Sequence, residues 1–413
     1  MAVSSPSRRA FLHSSAAVGA TAFAVPAIQA ARASEKLSVG IIGCGSRGTQ
    51  LAREVVKNKH NIAAICDIAE FRLGDFQKVI ALTGQDEKPT EYADYRRLLQ
   101  HAGLDAVVIA TPDHHHRDQL IAASFSGKDV YCETPMTKTL GEGKDILDAV
   151  KKNKRIVQVG SQWRSGAHWR RCKEHIDSHE FGNLVWAKAW DCRNWVAKDP
   201  TSAPATFTKE QESQIQWDSF QGKEFKREFN PDRYWGWRWY WEYGGGLLAE
   251  IGSHHLDVIQ WLGGVPAPKS VVAHGWRYNF KDWDTPDVAH AAWDYGRFSA
   301  TLDAQCLNGA DGAGIAFYGT KMTLIADLHK EIRLYNTADR ITPDTVPTAK
   351  WVIENETAAH VKNWLDCCIS RREPNATVEI GHKAAVPAHI SNLAYRLGKK
   401  IHWDAEKQEV IGG

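Results

Sequence analysis

The sequence has almost no surplus charge: 51 Lys and Arg against 49 Asp and Glu leave a formal +2 over 413 residues. That balance gives no reason to expect nucleic acid or an acidic membrane surface as partner, since both are drawn by a strong basic excess. A long hydrophobic run is lacking too. The weakly apolar stretch from Ala16 to Val25 is too short to span a bilayer, so no stable membrane insertion is expected. Among the 8 cysteines there is neither a CxxC pair nor a zinc-ligand spacing. Three consecutive histidines, His114, His115 and His116, invite a metal, but neighbours in sequence rarely converge on one ion, and no metal is expected.

What is abundant is tryptophan, at 17 residues, and several stand together: Trp235, Trp237, Trp239 and Trp241, among Tyr234, Tyr240 and Tyr243. A buried aromatic core explains such a run; a wall for the apolar CH faces of a sugar ring also explains it, and both can hold. An apolar fraction of 43% and a charged fraction of 24% are those of a globular protein. The length calls for two domains.

Residues 1–33 read as a targeting segment. Ser7-Arg8-Arg9-Ala10-Phe11-Leu12 is a twin-arginine pattern, followed by the apolar run and by small-x-small sites at Ile28-Gln29-Ala30 and Ala31-Arg32-Ala33. The expectation is an exported, periplasmic protein that folds before it travels. Such a chain need not form disulfides, so mostly free, buried thiols are expected.

From Leu37 the pattern is strand, glycine turn, helix, strand. Leu37-Ser38-Val39-Gly40-Ile41-Ile42 is the short apolar run of a buried parallel strand. Gly43-Cys44-Gly45-Ser46-Arg47-Gly48 follows at once: the first glycine for the tight turn, the second for approach of a pyrophosphate, the third for helix–strand packing. A helix from about Thr49 then aims its positive end at the phosphates. The next strand, Ile62-Ala63-Ala64-Ile65-Cys66, ends in Asp67, whose carboxylate suits the ribose hydroxyls and repels a 2′-phosphate; this favours NAD over NADP. Two more strands, Ala106 to Ala110 and Asp129 to Cys132, run into Thr111-Pro112-Asp113-His114-His115-His116 and Glu133-Thr134-Pro135. Both loops stand at carboxyl ends of parallel strands, where such sheets bind ligands.

These segments, with Gly244-Gly245-Gly246, Glu250-Ile251-Gly252-Ser253-His254-His255-Leu256-Asp257 and the tail His402-Trp403-Asp404, resemble the Gfo/Idh/MocA oxidoreductases over nearly the whole chain after the targeting segment. The nearest likeness is to exported, Trp-rich members. The resemblance implies an α/β protein: a Rossmann domain over 35–157 and a C-terminal α/β domain over 158–400 with an open, mostly antiparallel sheet that often mediates oligomerisation. It implies NAD held by Gly43, Gly45, Ser46, Arg47, Gly48, Asp67, Thr111, Pro112, His114, His116, Glu133 and Pro135.

The family's catalytic residues carry over unevenly. Its Glu-Lys-Pro motif supplies a lysine beside the nicotinamide; here the triplet reads Glu133-Thr134-Pro135. Threonine offers a hydrogen bond but no cationic acid–base partner. Lys138 is close in sequence, with nothing to show that it reaches the site. The second motif gives Glu250 and His254, whose i, i+4 spacing places them on one helical face, with His254 as a base titrating near neutrality and His255 on another face. Arg164, Asn194, Trp195 and Arg238 are substrate-side candidates. The stretch from Ala197 to Lys226 has little periodicity and reads as a long excursion over the site.

Two functions follow. One is oxidation of a sugar, cyclitol or related polyol, with hydride passing to NAD and a homo-oligomer as the working form. The other is a glycosidase in which bound NAD oxidises a ring hydroxyl transiently, so that elimination and hydration follow without net redox. Export bears on both, because a cofactor outside the cytoplasm must travel bound and be regenerated in place.

Overall fold

The computed structural model describes residues 36–195, 208–222 and 226–411. The twin-arginine pattern and its cleavage sites lie outside them.

The first half alternates strand and helix: β1 Ser38–Ile42, α1 Ser46–Lys57, β2 Asn61–Cys66, α2 Glu70–Ala81, β3 Thr90–Tyr92 and α3 Tyr95–Leu98. It continues through β4 Ala106–Ile109, α4 Asp113–Phe125, β5 Asp129–Cys132, α5 Glu142–Asn153 and β6 Val157–Val159. These six strands form one parallel sheet in the order β3-β2-β1-β4-β5-β6. β4 and β5 are buried at every position, which is why they read as unbroken apolar runs: helices cover both faces. The strand order reverses between β1 and β4, and the crevice at their carboxyl ends is the ligand position of such a sheet.

The second half opens with α6 Ala167–Asp177 and β7 Leu184–Cys192, then the short helices α7 Lys209–Ser213, α8 Trp217–Gln221 and α9 Pro231–Trp235. Next come α10 Gly246–Glu250, α11 Gly252–Gly263, β8 Ser270–Trp276, β9 Val288–Asp294 and β10 Ser299–Gln305. The remainder is β11 Ala313–Gly319, β12 Thr323–Asp327, β13 Glu331–Tyr335, β14 Ala349–Val352, α12 Glu356–Ser370, α13 Val378–Leu397, β15 Ile401–Asp404 and β16 Glu409–Ile411. The sheet order is β14-β13-β12-β11-β7-β10-β9-β8-β15-β16, antiparallel throughout except between β7 and β10. β10 alternates buried and accessible residues, so one face packs and the other is open. On the packed face Leu302 and Ala304 of β10 share a core with Leu256 and Ile259 of α11 and Ile390 and Ala394 of α13. The fold is thus the α/β pairing of Rossmann domain and mostly antiparallel sheet that the resemblance implied.

Two features depart from the linear order of the sequence. α12 follows the second sheet along the chain, yet Val361, Trp364 and Leu365 pack with Leu51 and Val55 of α1 in the core of the first. The excursion after Ala197 is not featureless either: its described part holds α7 and α8, with Ile215 bridged to Ala69 and Phe220 buried. Short amphipathic turns of five residues carry too little periodicity to stand out in a sequence. The aromatic run is largely core. Tyr234, Trp239, Tyr240 and Tyr243 are core, with Trp239 stacked on Trp283 at 4.3 Å, while Trp235 and Trp237 pack against that core half-buried. Seven of the eight cysteines are buried, and Cys192 is half-buried.

Candidate active site

Leaving β1, the backbone turns at Gly43 with φ +96°, where a Cβ would sit 2.6 Å from the Ala110 carbonyl oxygen. A Cβ on Gly48 would sit 1.9 Å from the carbonyl oxygen of Gly43. Packing therefore demands the first and third glycines. Gly45 differs, for nothing lies within 4 Å of the place its Cβ would take. It is the N-cap of α1, which begins at Ser46 rather than near Thr49 and has neither a side-chain cap nor an acidic residue in its first turn. The backbone N–H groups at that end are left for a ligand, and the cradle fits a diphosphate. Ser46 is exposed in the same turn. Asp67 closes β2, and its carboxylate accepts hydrogen bonds from the backbone N–H of Cys44 at 2.8 Å and of Ala69 at 2.9 Å. Desolvation raises its pKa, and those two donors work against the rise.

The glycine loop is tied to the segment after β5 by an ion pair: Arg47 Nε donates to Glu133 Oε1 at 2.7 Å. Burial works against the guanidinium charge, but the Glu133 carboxylate outweighs it and Arg47 is held protonated. Beyond Glu133, Thr134 Oγ1 lies 3.2 Å from His254 Nε2. The threonine in the lysine position therefore meets the histidine of the second motif, although 120 residues separate them. Trp163 encloses that imidazole, with ring centroids 5.5 Å apart, and His254 Nδ1 has no hydrogen-bond partner.

Two expectations about this pair of motifs are corrected. Loss of hydration, then the neighbouring His255 and the charges of Arg47 and Arg193, push His254 down to about 3, not near neutrality. Glu250 and His254 do not share one regular helix. α10 ends at Glu250 and α11 starts at Gly252, with a bend at Ile251 that brings the Gly252 Cα against Leu302 of β10; a Cβ there would lie 3.1 Å from that side chain. Glu250 Oε1 accepts from the Gly245 N–H at 3.3 Å, and Oε2 lies 3.4 Å from Arg238 Nε. His255 is buried, its Nδ1 3.1 Å from the Ile251 carbonyl oxygen.

The Thr111–His116 segment is used unevenly. Pro112 is the N-cap of α4, and Thr111 Oγ1 donates to Gln119 at 2.7 Å. His116 lies between the two ligand loops, its ring nitrogens 2.8 Å from the carbonyl oxygens of Pro135 and Thr111, and the neutral ring donates to one of them. His114 turns the other way: with His115 it reaches the Phe220 carbonyl oxygen, at 2.6 and 2.9 Å, so these two hold the excursion rather than the crevice. The three rings do not converge, and among the described residues no group of three or more His, Cys, Asp or Glu could hold a metal ion.

The substrate-side candidates scatter. The Arg164 guanidinium is committed to Asp257, with Nε 2.9 Å from each carboxylate oxygen. Asn194 is exposed at the end of β7, its backbone bridged to Leu307, and Trp195 packs against Trp239 at 5.0 Å. Arg238 lies over Trp237 at 4.2 Å as well as beside Glu250. Two residues were passed over in the sequence, Trp163 and Asp113, and a third, Lys138, was named without a place. Trp163 was hidden because nothing in a linear pattern brings it to His254. Asp113 was a legible signal, a carboxyl group directly at the end of a parallel strand. Lys138 is half-buried; loss of hydration lowers its pKa, and the carboxyl groups of Asp113, Glu142 and Glu250 work against that fall.

Two family models match this chain. Residues 37–161 match the oxidoreductase family with an NAD-binding Rossmann fold, and residues 223–325 match the GFO/IDH/MocA C-terminal domain, together more than half of the chain. A scyllo-inositol 2-dehydrogenase (NAD(+)) of Bacillus subtilis is 29% identical over 237 residues, covering 57% of this chain and 56% of its own. A glycosyl hydrolase family 109 protein of Stenotrophomonas maltophilia is 35% identical over 146 residues, covering 34% and 32%. The matched stretches thus span about half or less of these curated relatives. The crystal structure of an oxidoreductase domain protein from Kribbella flavida shares the fold, with a TM-score of 0.69 at 17% identity, over 92% of this chain and all of that one.

Proposed function

The chain belongs to the Gfo/Idh/MocA family, and from that premise we propose that it is an NAD-dependent oxidoreductase acting on a sugar, cyclitol or related polyol. The observation that carries this is the contact of Thr134 with His254 beside a glycine cradle left open at Gly45. Bound NAD supplies a hydride acceptor. Gly45, Ser46 and the N-terminus of α1 would hold its diphosphate, Asp67 its ribose, and the segment from Glu133 to Pro135 the floor beside the nicotinamide. His254 is neutral at physiological pH and so keeps a free lone pair for the proton of a substrate hydroxyl. Thr134 fixes the ring through Nε2, so the pair orients the hydroxyl without adding positive charge.

We further propose export by the twin-arginine route, with the cofactor carried inside and regenerated in place. A homo-oligomer is supported by the open sheet face, where Trp186 stacks on Tyr318 and Val272 and Trp276 are exposed. A second reading, the redox-neutral glycosidase, draws support from the family 109 relative. It also suits a site without the motif lysine.

The test uses the purified chain and the absorbance of reduced nicotinamide. The expected outcome is retained cofactor that becomes reduced when a polyol is added, with no turnover of added free NAD. His254→Ala should abolish reduction and leave the cofactor bound. Hydrolysis of an aryl glycoside with no lasting absorbance change would overturn the oxidoreductase reading in favour of the glycosidase. Rapid turnover of free NAD would overturn the resident cofactor.

A further inference from the structure

The described part of the excursion is bonded to two ligand loops of the first sheet. On one side Ile215 is bridged antiparallel to Ala69. The Glu70 N–H donates to the Gln214 carbonyl oxygen at 3.3 Å, and the Gln216 N–H to the Ile68 carbonyl oxygen at 2.9 Å. This is the loop after β2, and Ile68 is the residue next to Asp67. On the other side His114 and His115, at the start of α4, donate from Nε2 to the Phe220 carbonyl oxygen at 2.6 and 2.9 Å. A carbonyl oxygen only accepts, and its two lone pairs take one imidazole each. Ile215 and Phe220 are buried, while Gln216, Asp218 and Ser219 between them are exposed. The segment therefore lies with an apolar side down and a polar side to solvent.

β1 lies between β2 and β4 in the sheet, so the two anchors stand on either side of the glycine turn. Two strand spacings, about 10 Å, separate them. Only Gln216 to Ser219 join Ile215 to Phe220, too short a stretch for a detour, and it crosses the end of β1 beside the cradle at Gly45. We propose that the segment from Gln214 to Phe220 is a cofactor strap, which closes the adenosine side of the crevice and has to open before a dinucleotide can leave. Gln214 Oε1 adds a second sign: it is a buried acceptor with no donor among the described residues, the kind of atom that an adenine amino group satisfies. The strap deepens the resident-cofactor reading and rests on it for the ligand; its two anchors stand on geometry alone.

The test follows release of NAD from the purified full chain, read in the filtrate after dilution into excess ADP-ribose, which occupies each vacated cradle. Gln216→Pro removes the N–H that bonds Ile68, and the φ of −77° at this position suits proline, as does an extended residue before it. The variant should release NAD about tenfold faster, the size expected for one hydrogen bond. Where Gln216→Pro does not fold, His115→Ala loosens the other anchor and should change release in the same direction.

The opposite experiment fastens the strap. Ala69 and Ile215 face each other between the two backbone bonds as a non-hydrogen-bonded antiparallel pair, whose close Cα separation suits a disulfide. Ala69→Cys with Ile215→Cys, oxidised while NAD is bound, should slow release, and a reducing agent should restore it. Loosened packing cannot produce a slowing that reduction reverses. Equal release from the oxidised and reduced forms overturns the strap, and so does release that is unchanged or slower in a folded Gln216→Pro, since a segment occupying the ligand's own place would hinder binding. Firm retention by wild type and loosened variants alike keeps the resident cofactor and removes the strap. A wild type that loses NAD readily, and Gln216→Pro more readily still, removes the resident cofactor and keeps the strap.

Discussion

At the scale of single residues, the glycine loop separates two demands that a motif merges. Gly48 is required because a Cβ would fall 1.9 Å from a backbone oxygen, which cannot move aside. Gly45 is required, on the reading above, only because a ligand must come close. Gly48→Ala should therefore cost stability, about 1–3 kcal/mol or more as overpacking does, seen as a lower melting temperature of the chain without added ligand. Gly45→Ala should leave that melting temperature unchanged and abolish cofactor retention. A fall in stability for Gly45→Ala equal to that of Gly48→Ala would remove the functional meaning of the second glycine. Thr134 is the residue where sequence and structure speak together. Its identity announces the missing cation; its contact with His254 shows what took the space. The depressed pKa of His254 could not be read from the chain, since it comes first from burial, with Trp163 beside the ring, and Arg47 and Arg193 from two distant segments add to the effect of the adjacent His255.

Elements carry the next level of information. β1, β2, β4 and β5 were legible because buried parallel strands and glycine turns leave strong local patterns, whereas the short β3 was not read and α1 starts three residues earlier than expected. The break between α10 and α11 at Ile251 was not, because Glu250 and His254 keep the i, i+4 spacing that a continuous helix would also show. Arg164 shows the same limit. Its position after β6, at the junction of the halves, suggested a substrate clamp, yet it joins the turn at Gln162–Ser165 to α11 by pairing with Asp257, whose side chain is 2% exposed. Removing one partner of a buried pair leaves an uncompensated charge, and Arg164→Ala should destabilise the protein by about 3–5 kcal/mol in urea unfolding. If Arg164→Ala instead unfolds like the wild type while KM for the polyol rises, the arginine belongs to the substrate after all.

For the whole molecule, the large number of desolvated histidines governs the response to acid. Burial pulls His254 and His389 down to about 3 and His115 and His360 to about 4, and lowers His114, His116 and His255 as well. Below the ordinary imidazole value of 6.5 the unfolded chain takes up protons that the folded chain refuses. Stability is therefore full above that value and falls as pH drops toward 3–4. Each such group contributes on the order of 1 kcal/mol per pH unit within the window. Asp67, Asp113 and Asp257, raised by burial, act in the opposite sense, but they are fewer. Thermal melting should thus drop steeply from pH 6.5 to 4, before most carboxylates titrate. A melting temperature that stays level over that interval would falsify the neutral state of the buried imidazoles.

The sequence by itself determined whatever depends on a few adjacent residues. That covers the glycine turn, the apolar parallel strands, the carboxylate at the end of β2 and the absence of a lysine before Pro135. Each is a local steric or solvation requirement, so it leaves a local trace. Only the tertiary structure decided which of these groups meet. It set Thr134 against His254 and Arg164 against Asp257, and it returned α12 to the core of the first sheet. It also decided their charge states, because desolvation and neighbouring charges are sums over everything nearby in space, and no segment of the chain contains that sum.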